Sequence, residues 1–384
     1  MNPSRAAVAT IAIIFAVVFA GCGDTGDVAS TTTTAATAAT TTTTTGGGAP
    51  PATASPPSSD RAGPPAAYSE VDADYTASVT NTLAEGRDAL DLLLGGDFEA
   101  FHARLDQQMA VVVPIADLVS GLDQLTSQAA LGDRMADRAL QLSPSLRVYR
   151  AVVQWGDGTV AFTAVFDEAW KIANVGLAPQ EVLPADPAAA YDSQALLQLP
   201  FDGLWFVFWG GGVELENYHV VATDQRHALD LVIWQDGGTH RGEGTANEDY
   251  WAYGQQVLAP AEGTVVTAVD GLADNAPQVE TDAANPAGNH VVIRVADEEY
   301  VLIAHLQPDS LTVAEGDSVM AGQLIGLVGN SGNTSEPHIH IHLQDKPTFD
   351  PTAIGLPLVF SSYVANGQAV EIGELTADQF VATG

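Results

Sequence analysis

Three histidines stand at every second position of one short segment, EPHIHIHLQD, residues 336–345. The chain has only nine histidines, so His338, His340 and His342 are a large share of them. Two residues is the side-chain period of a β-strand, and an extended segment therefore points all three imidazoles to one face. A polar strand facing solvent is one interpretation. A metal site is the other, because imidazole is the commonest metal ligand among protein side chains.

A hydrolytic zinc site has definite requirements. Zinc takes three protein ligands of the His or carboxylate type and leaves one position open for water, whose pKa the metal lowers towards neutrality. Further histidines beside the open position orient that water and stabilise charge on the tetrahedral intermediate. The segment 336–345 can supply one ligand and one such helper. The interpretation therefore depends on where the other ligands come from.

The elements that must position such a site are strands. From about residue 199 to 358 the chain consists of short apolar runs, rich in β-branched residues and separated by Gly, Asn, Asp and Pro. This pattern predicts an all-β domain. Eight of the nine histidines lie in it, which favours a site over scattered polar decoration. The tail, residues 359–384, contains no recognisable motif.

A different pattern precedes this domain. From Tyr68 apolar residues recur at helical spacing, with a break at Gly95-Gly96 and a second helical stretch at 114–128. Alternating, strand-like runs follow around the turn at 156–158. Residues 68–184 are thus predicted to be an α+β domain with helices followed by an antiparallel sheet. The fold class predicted for the whole chain is α+β.

The helix-then-sheet order and the opening GGDFEAF (95–101) resemble the small cystatin-like domains of the nuclear-transport-factor type. Such a domain can occlude a substrate groove, dock a regulatory protein or act as a spacer, and the sequence leaves these alternatives open. Its single histidine, His102, is assigned no chemistry, because a lone histidine on a helix is usually structural.

The N-terminal residues, 1–22, are predicted to be a lipoprotein signal peptide. A run of apolar and small residues from Ala6 to Ala20 is shorter than the roughly 20 residues of a membrane-spanning helix and fits a signal peptide. FAGC resembles a bacterial lipobox with Phe19 in place of the usual Leu, which predicts a lipid on Cys22. An uncleaved anchor and ordinary secretion are the alternatives. Residues 23–67, rich in Thr, Ala, Gly and Pro, are predicted to be a disordered tether.

Composition limits the partners and the compartment. The 384 residues suggest two folded domains, and a single cysteine excludes an intramolecular disulfide. With 13 Lys+Arg against 48 Asp+Glu the net charge is −35, so a phosphate backbone would be repelled and nucleic-acid binding is excluded. The resemblance of FAGC to a lipobox, with a lipid predicted on Cys22, places the chain on the outer face of the bacterial cytoplasmic membrane.

Four segments resemble, in order and spacing, the lysostaphin-like (LytM-type) zinc metallopeptidases. They are GTVVTAVDG (263–271), GNHVVI (288–293), AHL (304–306) and the stretch Gly316 to His340 that ends in His-x-His. Members of that family are bacterial peptidoglycan endopeptidases with a compact β-sheet catalytic domain, and the resemblance covers residues 199–346. It implies one Zn²⁺ per chain and hydrolysis of peptidoglycan peptide bonds through a metal-activated water.

The resemblance also implies residue roles. His340, the second histidine of the motif, corresponds to a zinc ligand. His338 and His305 correspond to the two catalytic histidines, which orient the water or stabilise the oxyanion. Asp230 corresponds to the carboxylate ligand of the family's His-x-x-x-Asp motif. Arg226, however, stands where that motif has its histidine, and a cation cannot be a ligand.

Two histidines can replace the missing ligand. His227 is close, but three residues from Asp230 it faces the other side of an extended strand. If Asp224-Gln225 form a two-residue hairpin loop, His219 lies directly opposite Asp230 with Cβ atoms about 4.5–5.5 Å apart. A branch of the family carries its first histidine ahead of a similar QRxAxD stretch. We predict His219, with His227 as the open alternative.

The other polar residues near the motifs receive ordinary interpretations. His342 lies beyond the motif, where the strand is expected to run away from the metal. His290 is expected to be a sheet residue near the site. His240 lines the substrate groove or is exposed. Asn217 and Arg226 support the ligands or pair at the surface.

Two functions remain in competition at this point. The first is a zinc endopeptidase that acts on peptidoglycan. The second is a non-catalytic cell-wall-binding or hydrolase-activating module of the same fold, for which the displaced first ligand is the main argument. An acidic scaffold with incidental histidines does not explain why His305, His338 and His340 stand in family order.

Overall fold

The computed structural model describes residues 13–14, 68–143 and 145–384. The predicted signal peptide with Cys22 (1–22) and the predicted tether (23–67) therefore lie outside the described residues, apart from the two-residue strand β1, Ile13–Ile14. No helix in the described ranges combines the length and the apolar character that crossing a membrane requires.

The first part of the chain is helical. The helices are α1 (Tyr68–Leu94), α2 (Phe98–His102), α3 (Gln107–Val112) and α4 (Ile115–Gln128). Gly96 follows the end of α1 with a φ of 77°, a conformation that glycine adopts without strain. The side chain of Asp97 then caps α2 by accepting a hydrogen bond from the amide of Ala100. The predicted break between the first two helices is confirmed.

An antiparallel sheet follows the helices. Its strands are β2 (Leu131–Ser143), β3 (Leu146–Trp155), β4 (Gly158–Phe166) and β5 (Ile172–Pro179), in the order β1-β5-β4-β3-β2. Leu90, Phe101 and Phe162 are fully buried between helices and sheet. Burial of each such side chain stabilises the folded state by about 1.5–3 kcal/mol. The predicted α+β class is confirmed.

A second, larger sheet carries the histidines. Its strands follow the order β12-β9-β10-β11-β14-β7-β6-β18-β16-β17, with β15 beside β14. Their bounds are β6 (Leu204–Trp209), β7 (Leu229–Val232), β9 (Gly263–Val269), β10 (Asn289–Ala296), β11 (Glu299–Leu306), β12 (Ser318–Val319), β14 (Ile339–Gln344), β15 (Gly355–Leu356), β16 (Phe360–Ala365), β17 (Gln368–Gly373) and β18 (Phe380–Thr383). A separate pair joins β8 (Gln256–Leu258) to β13 (Leu324–Leu327). Short 3₁₀ helices cover Tyr218–Val221 and Asn247–Asp249. The predicted domain boundaries at 184, 199 and 358 stay predictions.

The C-terminal tail belongs to the large sheet. Its three strands, β16, β17 and β18, fill residues in which the sequence shows no motif. β18 pairs with β6, and β6 pairs with β7. The tail therefore buttresses the strand that carries Asp230.

Strand β2 connects the first sheet to the second. Arg138, which is buried, donates to the carboxylate of Asp378 at 2.9 Å and to the backbone oxygen of Phe208 at 2.7 Å. It also reaches the carbonyls of residues 215–216. The hydroxyl of Tyr75 in α1 donates to the same Asp378 at 2.8 Å. One guanidinium thus holds several groups of the large sheet.

We expect the substitution Arg138→Met to lower the free energy of unfolding by about 1.5–3 kcal/mol, because hydrogen bonds to a charged group are lost in a buried place. Chemical denaturation of the purified chain measures the change. Arg134→Met is the matched control: its side chain is 32% exposed and pairs with Asp137 at 3.2 Å, which predicts a change of about 0–1 kcal/mol. Equal effects of the two substitutions would contradict this role of Arg138.

Candidate metal centre

Two neighbouring strands place a carboxylate against an imidazole. The antiparallel register of β7 and β14 sets Asp230 directly opposite His340. Oδ1 of Asp230 lies 2.9 Å from Nδ1 of His340, and both residues are buried. The hydroxyl of Tyr218 donates to the other oxygen, Oδ2, at 3.2 Å. Asp230 is therefore held in place while Oδ1 faces the histidines.

His219 approaches the same carboxylate from a 3₁₀ helix. Because Tyr218–Val221 are not a strand, the predicted hairpin around Asp224-Gln225 is wrong. The physical reason is that β7 already pairs with β6 on one edge and β14 on the other, so a third strand has no free edge to join. Nε2 of His219 nevertheless lies 3.5 Å from Oδ1 of Asp230. His219 and Asp230 are therefore close together as predicted, but His219 reaches this position from a 3₁₀ helix and not from a hairpin strand.

Asn217 sets the orientation of the His219 ring. Its side-chain nitrogen donates to the carbonyls of Gly211 at 2.9 Å and Ala228 at 3.1 Å, so its oxygen is an acceptor. That oxygen accepts from the amide of His219 and lies 2.8 Å from Nδ1 of the ring, which therefore carries the proton. Nε2 of His219 keeps a lone pair, and it is buried without a hydrogen-bond partner.

His227 does not join the site. Its Nε2 lies 3.0 Å from Oδ2 of Asp186, in the segment before the large sheet. Arg226 donates to the backbone oxygens of Val220 at 3.1 Å and Pro184 at 2.9 Å, so it fixes the chain next to His219. Of the two alternatives for the first ligand, the structure brings His219 to Asp230.

His305 and His338 lie in the same region, and each is held by a backbone oxygen. Nδ1 of His305 lies 2.8 Å from the backbone oxygen of Ser331, and Nδ1 of His338 lies 2.8 Å from that of Glu336. Because a carbonyl only accepts, each Nδ1 carries a proton. Nε2 of His338 has no hydrogen-bond partner and lies 3.4 Å from Oδ1 of Asp230. The centroids of the two rings are 4.9 Å apart.

The five residues fall into two overlapping groups. In the described ranges, one ligand atom from each of His219, Asp230 and His340 lies within 4.8 Å of the others, and the same holds for His305, His338 and His340. His340 belongs to both groups. All five residues are buried, and they lie on the 3₁₀ helix Tyr218–Val221, on β7, on β11 and on or directly before β14, so the fold fixes their positions.

His342 was expected to lie beyond the metal site, and it belongs to neither ligand group of the described residues. Its ring nevertheless contacts that of His340, with Nδ1 of His342 2.9 Å from Nε2 of His340. Residues two apart on a strand share a face, and long side chains there remain in contact. His342 is fully buried, and its Nε2 lies 2.8 Å from Oε1 of Gln344.

Burial and the carboxylate set the charges of these groups. Burial lowers the pKa of His219 and of His342 to about 3 and lowers the pKa of His305 well below its ordinary value. These three imidazoles are therefore neutral near pH 7. Burial also acts to lower the pKa of His338, but the facing Asp230 outweighs it and raises that pKa. Burial acts to raise the pKa of Asp230, but His219 and His338 outweigh it and hold that pKa well below its usual range.

The donor set of the first group fits a zinc ion. His219 offers a lone pair on a buried nitrogen without a partner, His340 offers Nδ1, and Asp230 offers a carboxylate oxygen. Two imidazoles and one carboxylate are ligands of the kind that catalytic zinc sites use, with a position left for water or substrate. Ligand atoms of His305 and His338 lie within 4.8 Å of one of His340, so these two imidazoles are next to the first group.

Sequence reasoning missed two neighbours of the centre. Glu336 accepts a hydrogen bond from the hydroxyl of Thr239 at 3.1 Å, and burial raises the pKa of Glu336 to about 7. Tyr218 anchors Asp230. Their positions beside His338 and His219 in the sequence are the only signals that point to them. His240 and His290 lie outside both ligand groups of the described residues.

Part of this chain is similar to a known protein family. Residues 248–351 match the profile of Peptidase family M23. The matched segment contains His305, His338 and His340 and begins after His219 and Asp230. Endolysin 2638A of Staphylococcus phage 2638A is 33% identical over 112 residues, which cover 29% of this chain and 20% of the endolysin.

Two solved structures also match parts of this chain. The catalytic domain of the antimicrobial peptidase lysostaphin from Staphylococcus simulans is 18% identical, with a TM-score of 0.22, over 43% of this chain and 84% of that one. A zinc-containing peptidase from Vibrio cholerae is 16% identical, with a TM-score of 0.21, over 66% of this chain and 62% of that one.

Proposed function

We propose that residues 248–351, which match Peptidase family M23, form a domain of that family, and that this chain is a zinc-dependent endopeptidase that hydrolyses peptide bonds of peptidoglycan. The observation that carries the proposal is the convergence of His219, Asp230 and His340 around one point, with His305 and His338 beside it. A chain that had lost its chemistry would have no reason to keep buried imidazole nitrogens without partners, since each costs free energy.

In this proposal the metal is held by Nε2 of His219, Oδ1 of Asp230 and Nδ1 of His340. When bound, zinc polarises a carbonyl and lowers the pKa of water. Asn217 holds the ring of His219, and Tyr218 holds the second oxygen of Asp230, so both ligands are oriented by neighbours. Such outer hydrogen bonds raise metal affinity by keeping ligands in position.

His305 and His338 move protons and stabilise charge in this proposal. Each donates its Nδ1 proton to a backbone oxygen, which leaves Nε2 directed at the site. A neutral Nε2 accepts a proton from the attacking water, and a protonated Nε2 donates to the oxyanion or to the leaving amine. The raised pKa of His338 and the lowered pKa of His305 suit this division, with His338 as the donor and His305 as the acceptor.

Peptidoglycan is the proposed substrate for two reasons. The sequence motifs resemble those of peptidoglycan endopeptidases, and one relative is an endolysin. We also propose that a lipid on Cys22 holds the chain on the outer face of the cytoplasmic membrane, where cell wall is within reach of the tether. The lone cysteine directly after an apolar run supports this location.

Digestion of purified peptidoglycan by the full-length chain tests the proposal. We expect new amino termini to appear without new reducing ends, because a peptide bond and not a glycosidic bond is cut. A chelator should stop the release, and added zinc should restore it. A chain that binds peptidoglycan and one zinc ion but releases no amino termini would contradict the enzyme and support the non-catalytic wall-binding module.

A further inference from the structure

A row of buried polar side chains continues from His340 along β14, on the side away from Asp230. Nε2 of His340 lies 2.9 Å from Nδ1 of His342, and Nε2 of His342 lies 2.8 Å from Oε1 of Gln344. His342 and Gln344 are both fully buried. Neither belongs to a ligand group, and neither has a role in the proposed reaction.

The far end of the row determines the direction of its hydrogen bonds. The side-chain nitrogen of Gln344 donates to the backbone oxygens of Lys346 and Thr348, each at 2.7 Å. Since only the amide nitrogen can donate to a carbonyl, Oε1 of Gln344 is an acceptor. Nε2 of His342 must therefore carry a proton and donate it to Oε1.

The direction of the hydrogen bond between His342 and His340 follows from the charge of His342. The hydrogen-bond partners that the structure gives His342 are His340 and Gln344, and neither is acidic. An unpaired charge in a fully buried place is costly, so His342 is neutral. With its proton on Nε2, the Nδ1 of His342 is an acceptor. It accepts from Nε2 of His340, which must carry a proton.

The proton on Nε2 decides what the other nitrogen of His340 can do. In the neutral ring Nδ1 then has a lone pair, and it lies 2.9 Å from Oδ1 of Asp230. Two acceptors this close are stable only around a cation, which is either a metal ion or a proton. The row therefore prepares Nδ1 of His340 as a ligand.

We propose that His342 and Gln344 are positioning residues that hold His340 in the tautomer whose Nδ1 binds the metal, and that they thereby raise metal affinity. The inference rests on the metal site of the proposed function, and it adds residues that the family motif does not include. Hydrogen bonds to a metal-binding histidine typically change metal affinity by about 10–100-fold.

Zinc affinity of the full-length chain, measured by competition with a chelator, is the first test. We expect His342→Phe to weaken binding by about 10–100-fold, because the acceptor for His340 is lost. His342→Gln should recover part of the affinity, since an amide offers both an acceptor and a donor. Ile341→Val is the matched control: Ile341 is fully buried on the opposite face of β14 and should leave affinity unchanged.

The circular dichroism of each metal-free variant is first compared with that of the parent. Zinc affinities are then interpreted only for variants that fold like the parent. If His342→Phe does not fold, Gln344→Met takes its place, because it removes the acceptor that orients His342; weaker zinc binding is again expected. A folded His342→Phe or Gln344→Met chain with the parent's affinity would overturn the proposal.

A spectroscopic test does not depend on metal binding. The ¹⁵N NMR spectrum of the metal-free parent should show a neutral His342 with its proton on Nε2. The ring signals of His342 are assigned by comparison with the spectrum of His342→Gln. A proton on Nδ1 of His342 would overturn the relay even if zinc binds. Conversely, a parent with the expected tautomer and no zinc affinity would refute the proposed metal site and with it the consequence for affinity.

Discussion

Asp230→Asn is expected to remove both the bound zinc and the hydrolytic activity. The substitution keeps the size of the side chain but removes the charge that faces three imidazoles, with Oδ1 at 2.9 Å from His340, 3.4 Å from His338 and 3.5 Å from His219. A lost ligand should cost more than the roughly 10–100-fold in affinity that a lost outer hydrogen bond costs. Elemental analysis and release of amino termini from peptidoglycan measure the two effects.

A second buried aspartate provides the control. Asp224 lies in the turn before β7 and is 3% exposed. Within the described residues, its side chain accepts a hydrogen bond only from the side chain of its neighbour Gln225. Asp224→Asn should therefore keep metal and activity. Zinc retained at full occupancy in Asp230→Asn would contradict the ligand set, and a loss in both variants would point to general damage to the fold.

His338→Ala is expected to slow hydrolysis by about 10²–10⁴-fold while one zinc ion stays bound. The imidazole lies beside the ligands, with its Nδ1 bonded to a backbone oxygen and Nε2 free, so its removal takes away a proton donor without removing a ligand. Steady-state rates on peptidoglycan fragments give the loss in kcat, and elemental analysis gives the occupancy.

His290→Asn is the matched control for this prediction. His290 is also buried and also bonds a backbone oxygen through Nδ1, at 2.8 Å, but it belongs to neither ligand group. Its variant should keep a rate close to the parent's. If His338→Ala loses zinc together with activity, the second group, His305, His338 and His340, is the metal site, and the roles assigned here would have to be exchanged.

The histidines of the motif could be predicted because the information is local. His305, His338 and His340 stand in short segments bounded by glycines, whose order and spacing resemble a known family. A strand period of two also sufficed to place His338, His340 and His342 on one face. Spacing along a strand does not show, however, that the neighbouring rings of His340 and His342 touch.

The remaining ligands depend on contacts that are distant in the sequence. Asp230 and His340 are 110 residues apart and meet only because β7 and β14 pair. β7 pairs with β14 on one edge and with β6 on the other, so it has no free edge for the predicted hairpin. His219 lies on a 3₁₀ helix instead. A hydrophobic pattern predicts that a strand exists, but not which neighbour it takes.

Two other elements escaped prediction for a related reason. The first half of β2 is largely exposed and carries charged residues, so it shows no alternation, although Arg138 later in the strand holds the large sheet. The strands of the C-terminal tail are short, and β17 is exposed along most of its length. β2 and β17 pair with the neighbouring strands β3 and β16, and their link to distant parts of the chain comes through Arg138 and through the pairing of β18 with β6.

The zinc content of the full-length chain, compared with that of its His219→Ala and His227→Ala variants, each purified without added metal, tests the proposed ligand set. We expect about one zinc per chain in the parent and in His227→Ala, and loss of zinc in His219→Ala, because His219 holds a free nitrogen beside Asp230 whereas His227 faces Asp186. Zinc kept by His219→Ala and lost by His227→Ala would contradict the site as described, and a parent without zinc would contradict the enzyme.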